Sequence, residues 1–250
     1  MPVLRRPSLL LALCVAGAVL PARAQSLPSP EELAARHDSI IGGRPVLEQH
    51  TSIRFAGSFA VPEMGLDAPL EILKRRPDQY LMRTMLGPMG ELLTGYDGKN
   101  AWAVQPGMGP VVLREGAATQ VRDQADFFGD LHDYTRFAKV ETLPAEEFSG
   151  RRAWPVRMIR ATGDTLVEYF DAETGLSAGS RSAVMTPQGR VETQSVVSEY
   201  KDFGGLKVAT RIEQRTGQVR IVITIADVTF DSVGEKDVEP PEAVRNLIKP

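Results

Sequence analysis

The fold is decided by residues 190–230, RVETQSVVSEYKDFGGLKVATRIEQRTGQVRIVITIADVTF. Three runs with the two-residue period of β-strands are separated here by Gly204-Gly205 and by Thr216-Gly217. The last run places isoleucine at every second position, which predicts a strand with one buried face, formed by Ile221, Ile223 and Ile225. Because short glycine-containing links join antiparallel neighbours, the stretch predicts three adjacent strands of an antiparallel sheet.

The same pattern covers most of the chain. Candidate strands alternate with short turns rich in glycine, proline and aspartate, and Asp97-Gly98 is a strong hairpin signal. Turn signals at such regular spacing predict an antiparallel meander rather than a βαβ architecture. The predicted strands are residues 51–61, 68–75, 79–86, 91–96, 101–105, 138–143, 152–161, 165–171, 177–185, 190–203, 207–215 and 219–230.

A short helix is predicted before the first strand. Ser29 is suited to cap it, Pro30 suits its first position, and Glu32 completes a capping box. Gly42-Gly43 ends the helix, since glycine accepts the left-handed backbone conformation found there.

A second helix is predicted over residues 117–134, with an interruption at Gly129. Its apolar and acidic side chains fall on separate stripes, which is typical of an amphipathic helix. We expect it to lie across the open side of the sheet with Phe128 and Leu131 inward. The acidic stripe, which we expect to face solvent, consists of Asp123, Asp126, Asp130 and Asp133.

Residues 1–24 have the pattern of a secretory signal peptide. Two arginines precede a short apolar run at residues 9–20, and Ala22-Arg23-Ala24 has small residues where signal peptidase cleaves. The run is too short to span a bilayer, which needs about 20 apolar residues. We therefore expect cleavage after Ala24, with residues 25–250 forming a single exported, periplasmic domain.

The amino-acid composition limits the kinds of partner that this domain is expected to bind. Removal of the signal leaves 26 Lys and Arg against 32 Asp and Glu, a net charge of about −6, which argues against a nucleic-acid partner. The only cysteine, Cys14, lies in the signal, so no disulfide and no thiolate metal site is expected in the mature domain.

The sequence contains no recognisable catalytic, metal or cofactor site. The histidines His37, His50 and His132 have no metal-ligand spacing, and no glycine-rich phosphate loop suggests a cofactor. Residues 175–179 spell G-x-S-x-G, but they follow a β-turn and precede a strand rather than a helix. No histidine follows His132, so the usual order of serine, acid and histidine is also absent. We therefore predict that the protein is not an enzyme.

Apolar residues are the remaining candidates for a site. Several methionines are held in turns rich in glycine and proline, where core packing explains them less readily than it does in a strand. Flexible thioethers suit a surface that accepts acyl chains of varied shape, so ordinary packing and a lipid-facing mouth are both open. The predicted lining of a hydrophobic cavity is Phe59, Met82, Met85, Met89, Trp102, Phe128, Leu131, Trp154 and Phe170.

The order of elements resembles the LolA/LolB-like superfamily of periplasmic lipoprotein carriers, especially its outer-membrane lipoprotein-sorting-like members. The stretches that carry this resemblance are residues 41–43, 95–102, 169–176 and 199–208. The resemblance implies a mainly β fold in which a curved antiparallel sheet, an incomplete β-barrel, wraps over a few helices with an apolar cavity between. It also implies binding of lipid or lipoprotein acyl chains without covalent chemistry.

Other functions are open from the sequence alone. A scaffold for envelope assembly, whose partners would be other envelope proteins, would have a packed interior without a cavity. A hydrolase that uses carboxylates would have Asp or Glu side chains converging in a cleft. The carrier hypothesis additionally implies transient contact with a membrane.

Overall fold

The structure, a computed structural model, describes residues 26–129, 131–186 and 189–248. The predicted signal peptide and Asp130 lie outside the described residues. The helices are α1 (Pro30–Ile40), α2 (Gly43–Leu47), α3 (Glu115–Ala125) and α4 (Glu242–Ile248). The strands are β1 (Ser52–Val61), β2 (Leu66–Arg75), β3 (Gln79–Met85), β4 (Glu91–Asp97), β5 (Ala101–Gln105), β6 (Gly109–Val112), β7 (Lys139–Thr142), β8 (Glu146–Phe148), β9 (Arg151–Ile159), β10 (Thr165–Asp171), β11 (Ser177–Thr186), β12 (Gly189–Phe203), β13 (Leu206–Thr216) and β14 (Val219–Phe230).

All the described strands belong to one antiparallel sheet that does not close into a barrel. Its order is β6-β5-β4-β3-β2-β1-β14-β13-β12-β11-β10-β9-β7, with β8 paired to β9. The first and last strands of the chain, β1 and β14, are neighbours at the centre, and the two meanders run outward from them. The predicted meander and mainly β fold class are confirmed.

Helix α1 begins as the sequence predicts. Ser29 Oγ accepts a hydrogen bond from Glu32 N at 3.1 Å, and the Glu32 carboxylate accepts one from Ser29 N at 2.8 Å. After the helix, Gly42 has a φ of 102°, and a Cβ there would lie 2.3 Å from the carbonyl oxygen of Gly205. A glycine at position 42 therefore allows α1 and α2 to dock against the β12–β13 hairpin.

Loss of the capping box should weaken the protein measurably. We expect Ser29→Ala to lower the free energy of unfolding by about 1 kcal/mol, because the backbone N–H of Glu32 loses its acceptor, Ser29 Oγ. The control is Ser39→Ala near the other end of α1, where the serine is exposed and no cap is lost. Urea unfolding measures both variants, and equal stabilities would contradict a role for the cap.

The central helix is shorter than predicted, since α3 ends at Ala125 rather than near residue 134. Asp126 Oδ1 accepts a hydrogen bond from Phe128 N, and the Asp126 carbonyl accepts one from Gly129 N, both at 3.0 Å. These local bonds replace the helical ladder and turn the chain. The turn changes the helical phase, so Phe127 is fully buried and Phe128 is only partly buried.

The two ends of the sheet differ. The β1–β2, β3–β4 and β5–β6 hairpins all turn at one end, which we call the hairpin end, because alternate turns of a meander share an end. The β12–β13 hairpin turns at the opposite end, where α1 and α2 dock, and we call this the helix end. Each of the β1–β2, β3–β4 and β5–β6 turns exposes a methionine: Met64, Met89 and Met108.

Candidate functional site

A cavity of about 760 Å³ lies between the sheet, α1, α3 and the segment that follows α3. Its walls come from the central strands β1 and β14, from β2 and β3 on one side of them, and from β9 to β13 on the other. One cavity touches strands this far apart in the order only if the sheet curves around it. The volume is within the range of small-molecule sites, about 300–1,000 Å³.

The wall of the cavity is mostly apolar, and β14 shows why. Ile221, Ile223 and Ile225 occupy alternate positions of this strand and all line the cavity, although Val222, on the opposite face, is also buried. Ile221 and Ile223 are only partly buried, although Ile225 is buried in the core. The cavity therefore presents apolar side chains whose surface is not fully covered by the protein.

The cavity is closed at the helix end by a packed cluster. This cluster contains Ile41, Leu47, Phe55, Leu131 and Leu206, all buried. From it the cavity wall continues along β13 and β14 toward the hairpin end.

The structure places three of the nine predicted lining residues in the cavity wall: Phe59, Met82 and Leu131. Met82 and Met85 were both predicted to face inward, but they are three positions apart in β3 and so lie on opposite faces of the sheet. Met82 pairs with Ile72 on the cavity face, whereas Met85 is exposed on the other face.

The remaining predicted residues lie outside the cavity wall. Trp102 is fully buried on the opposite face, because it pairs with Gly95 and shares a cluster with Leu81 and the C-terminal Val244. Met89 is exposed in the β3–β4 turn.

The last three predicted residues pack near the helix end. Trp154 and Phe170 pair across β9 and β10 and pack against Leu33 of α1. Phe128 contacts the guanidinium groups of Arg44 and Arg76.

Sequence spacing did not reveal a buried polar cluster at the cavity wall. His132 Nδ1 lies 2.7 Å from Asp38 Oδ1, and His132 Nε2 lies 2.9 Å from Glu168 Oε2. His37 Nδ1 lies 3.2 Å from the same oxygen of Asp38. The cluster joins α1, the segment after α3, and β10, whereas Asp133, a member of the predicted acidic stripe beside His132, is exposed as expected.

The electrostatics of the cluster favour its charged form. Burial alone would lower the pKa of His132, but the Glu168 and Asp38 carboxylates outweigh burial and raise this pKa to about 10. Burial would raise the pKa of Asp38 and of Glu168, but hydrogen bonds and attraction from the histidines hold both values below their usual range. His132 is therefore an imidazolium between two carboxylates at neutral pH.

Stability should depend on pH through this cluster. His132 stabilises the fold fully below its unfolded pKa of 6.5, and its contribution is lost as the pH rises through about 10. Each pH unit in that window should cost up to about 1.4 kcal/mol. Asp38 and Glu168 act oppositely, since their contribution is present above their unfolded values of 3.8 and 4.5 and is lost in acid.

Urea unfolding between pH 5 and pH 10, with a chelator present, measures this effect. The wild type should lose more stability between pH 6.5 and pH 10 than His132→Gln does. Equal losses of unfolding free energy with rising pH in the two proteins would contradict the role of His132.

Ion pairs join α3 to the far side of the sheet. Asp123 Oδ2 lies 2.6 Å from Arg160 Nη2, just after β9, while α3 itself packs on β3, β4 and β5. Arg136 lies 3.7 Å from Asp123 and 3.5 Å from Asp126. Two members of the predicted outward acidic stripe therefore form ion pairs, and Asp123 lines the cavity.

The architecture matches solved structures over most of the chain. A DUF1329 family protein from Desulfovibrio piger aligns with a TM-score of 0.59 and 11% identity, covering 84% of this chain and 96% of its own. A LolA superfamily protein from Nitrosomonas europaea has a TM-score of 0.57 and 11% identity, with 85% and 98% covered. The chain has a LolA-like fold.

A third solved structure has a similar architecture. An outer membrane lipoprotein-sorting protein domain from Vibrio parahaemolyticus has a TM-score of 0.52 and 11% identity, with 87% of this chain and 95% of its own covered. No protein-family model and no curated protein matches the sequence. The likeness therefore concerns the fold, and the recognition made from the sequence is confirmed at that level.

The G-x-S-x-G stretch has no nucleophile geometry within the LolA-like fold. Ser177 opens strand β11 and is followed by strand rather than helix. Among the residues that the structure describes, no helix is long and apolar enough to cross a membrane.

Proposed function

We propose that the protein is a periplasmic carrier that binds the acyl chains of a lipid or lipoprotein in the cavity without changing them chemically. The observation that carries this proposal is the partly uncovered apolar wall around about 760 Å³ of space. Each acyl methylene that moves from water into such a cavity contributes about 0.8 kcal/mol, so an acyl chain binds without any covalent step.

The hairpin end supports a route for entry. The three turns that expose Met64, Met89 and Met108 lie opposite the end that α1 and α2 close. Methionine side chains are flexible and adapt to chains of varied shape. The proposal therefore places ligand exchange, and transient membrane contact, at the hairpin end.

The predicted export and the net charge are consistent with this function. A secreted carrier meets lipids, lipoproteins and other envelope proteins, whereas the acidic balance of the mature domain does not favour nucleic acid. The solved lipoprotein-sorting domain with the same fold also supports a role in handling lipoproteins.

The alternatives receive less support. A scaffold without a ligand would be expected to fill its interior, and this interior contains a cavity. A glycosidase-like hydrolase needs two facing carboxylates. Of the carboxylates in the cavity wall, Asp123 and Glu168 are each paired with a different cation, and Asp133 is exposed and accepts hydrogen bonds from Thr135.

Native mass spectrometry of protein purified from the periplasm tests the proposal. We expect lipid to co-purify, and we expect a fluorescent fatty-acid probe to bind and to be displaced by phospholipid or lipopeptide. Because apolar burial provides the affinity, it should change little between low and high salt. Absence of both lipid and probe binding would refute the carrier function and favour the scaffold.

A further inference from the structure

The polar cluster at the cavity wall contains a set of metal-ligating atoms. His37, Asp38 and His132 each offer one such atom, and the three atoms lie within 4.8 Å of one another. Asp38 Oδ1 is central, at 2.7 Å from His132 Nδ1 and 3.2 Å from His37 Nδ1. We propose that these three residues bind a divalent transition metal ion, with zinc the preferred one.

The donor types select the class of metal. Two imidazole nitrogens with one carboxylate oxygen suit zinc and related ions, whereas calcium and magnesium prefer oxygen ligands alone. Three protein ligands leave a fourth position for water or another molecule. His37 and His132 both line the cavity, so that position faces the space where a ligand would lie.

The groups around the three ligands are already in place. Glu168 Oε2 lies 2.9 Å from His132 Nε2, which directs the opposite nitrogen, Nδ1, toward Asp38. His132 N donates a hydrogen bond to Asp38 Oδ2 at 3.2 Å, which leaves Oδ1 toward the two imidazoles. A carboxylate behind a ligating histidine is the usual second layer of a zinc site, because it fixes the ring and increases its basicity.

Burial separates this cluster from a chance group of surface residues. The side chains of His37 and His132 are 7% and 9% exposed, and those of Asp38 and Glu168 about one fifth exposed. The ligands come from α1 and from the segment after α3, so a bound ion would fasten α1 to that segment. Binding requires that the shared proton on His132 Nδ1 leave, as it does for every histidine ligand.

The proposal is independent of the carrier function, because a metal can bind whether or not a lipid does. The test uses protein without a histidine tag, stripped with a chelator, dialysed, and titrated with zinc in a calorimeter. Cobalt is then added to a second sample, since its absorption spectrum reports coordination number. We expect one zinc ion per chain and a tetrahedral cobalt spectrum.

Variants locate the site. His37→Gln removes a ligand and should weaken zinc binding at least 100-fold, while Glu168→Gln should weaken it 10- to 100-fold through His132. The matched control is His50→Gln, because His50 also pairs with a carboxylate, Asp231 at 2.8 Å, but has no second histidine beside it. That variant should bind zinc as the parent does.

Two further measurements make the test decisive. Urea unfolding of each metal-free variant shows whether it is folded before titration. If a variant is unfolded, Asp38→Asn takes its place in the zinc titration. No zinc binding by the folded parent would overturn the proposal. Undiminished binding by folded His37→Gln, or loss of binding in His50→Gln, would overturn it equally.

Discussion

Replacement of Met82 by glutamate should weaken binding of a fluorescent fatty-acid probe at least tenfold. Met82 lies in the cavity wall beside Ile72, and a carboxylate there keeps water in the space that the acyl chain must fill. Burying an unpaired charge costs several kcal/mol, so either the ligand is excluded or the glutamate takes up a proton. Probe titration followed by fluorescence measures the loss.

Two controls separate burial from other causes. Met85→Glu makes the same chemical change three positions along β3, on the exposed face away from the cavity, and it should bind the soluble probe as the parent does. Met82→Lys should weaken binding like Met82→Glu, because the cost comes from desolvation and not from repulsion of the fatty-acid carboxylate. A folded Met82→Glu protein that binds the probe normally would show that the ligand lies elsewhere.

Replacement of Gly57 by alanine should cause the largest loss of stability, about 3 kcal/mol or more. A Cβ at position 57 would lie 1.8 Å from the backbone oxygen of Thr224 on the neighbouring strand, and a backbone atom cannot rotate away. The register between β1 and β14 shifts at this glycine, so the clash falls where the two meanders join. Overpacking of this kind separates paired strands or distorts them.

Thermal unfolding should show a fall in melting temperature of about 6–12 °C for Gly57→Ala. The matched control is Gly116→Ala in α3, where a Cβ meets no atom within 4 Å. Alanine favours a helix more than glycine does, so this variant should keep or gain stability by up to about 1 kcal/mol. Similar melting temperatures for the two variants would contradict the close approach of β1 and β14.

Local signals explain why the secondary structure could be predicted. Alternation of apolar residues and glycine-containing turns are properties of neighbouring residues, so strands such as β5, β10 and β14 were predicted with their observed bounds. Strand β8 was missed because three residues are too few to show a period, and β6 because its four residues, GPVV, contain glycine and proline and show no alternation. The prediction of a long central helix was wrong because the Asp126 side chain competes with the backbone hydrogen bonds of the helix.

The site was predicted only in part, because two of its properties are not local. Which face of the sheet is covered depends on distant segments: Trp102 is buried by the C-terminal residues, and nothing near it in sequence indicates this. The polar cluster depends on topology, since His132 is 94 residues from Asp38 and 36 from Glu168. One error was avoidable, because alternation alone excludes Met82 and Met85 from the same face.

The ion pair between Asp123 and Arg160 has a mechanical consequence. Strands joined edge to edge by backbone hydrogen bonds would give the sheet a fixed circumference. Among the described residues the sheet has free edges, formed by β6 on one side and by β7 and β8 on the other, and side chains link α3 to the region just after β9. Side chains can rotate and exchange partners. Arg136 and Arg160 both contact Asp123, so this carboxylate already has two cationic partners. If the cavity binds acyl chains as proposed, such a side-chain link would let one sheet widen for ligands of different thickness without breaking a strand pair.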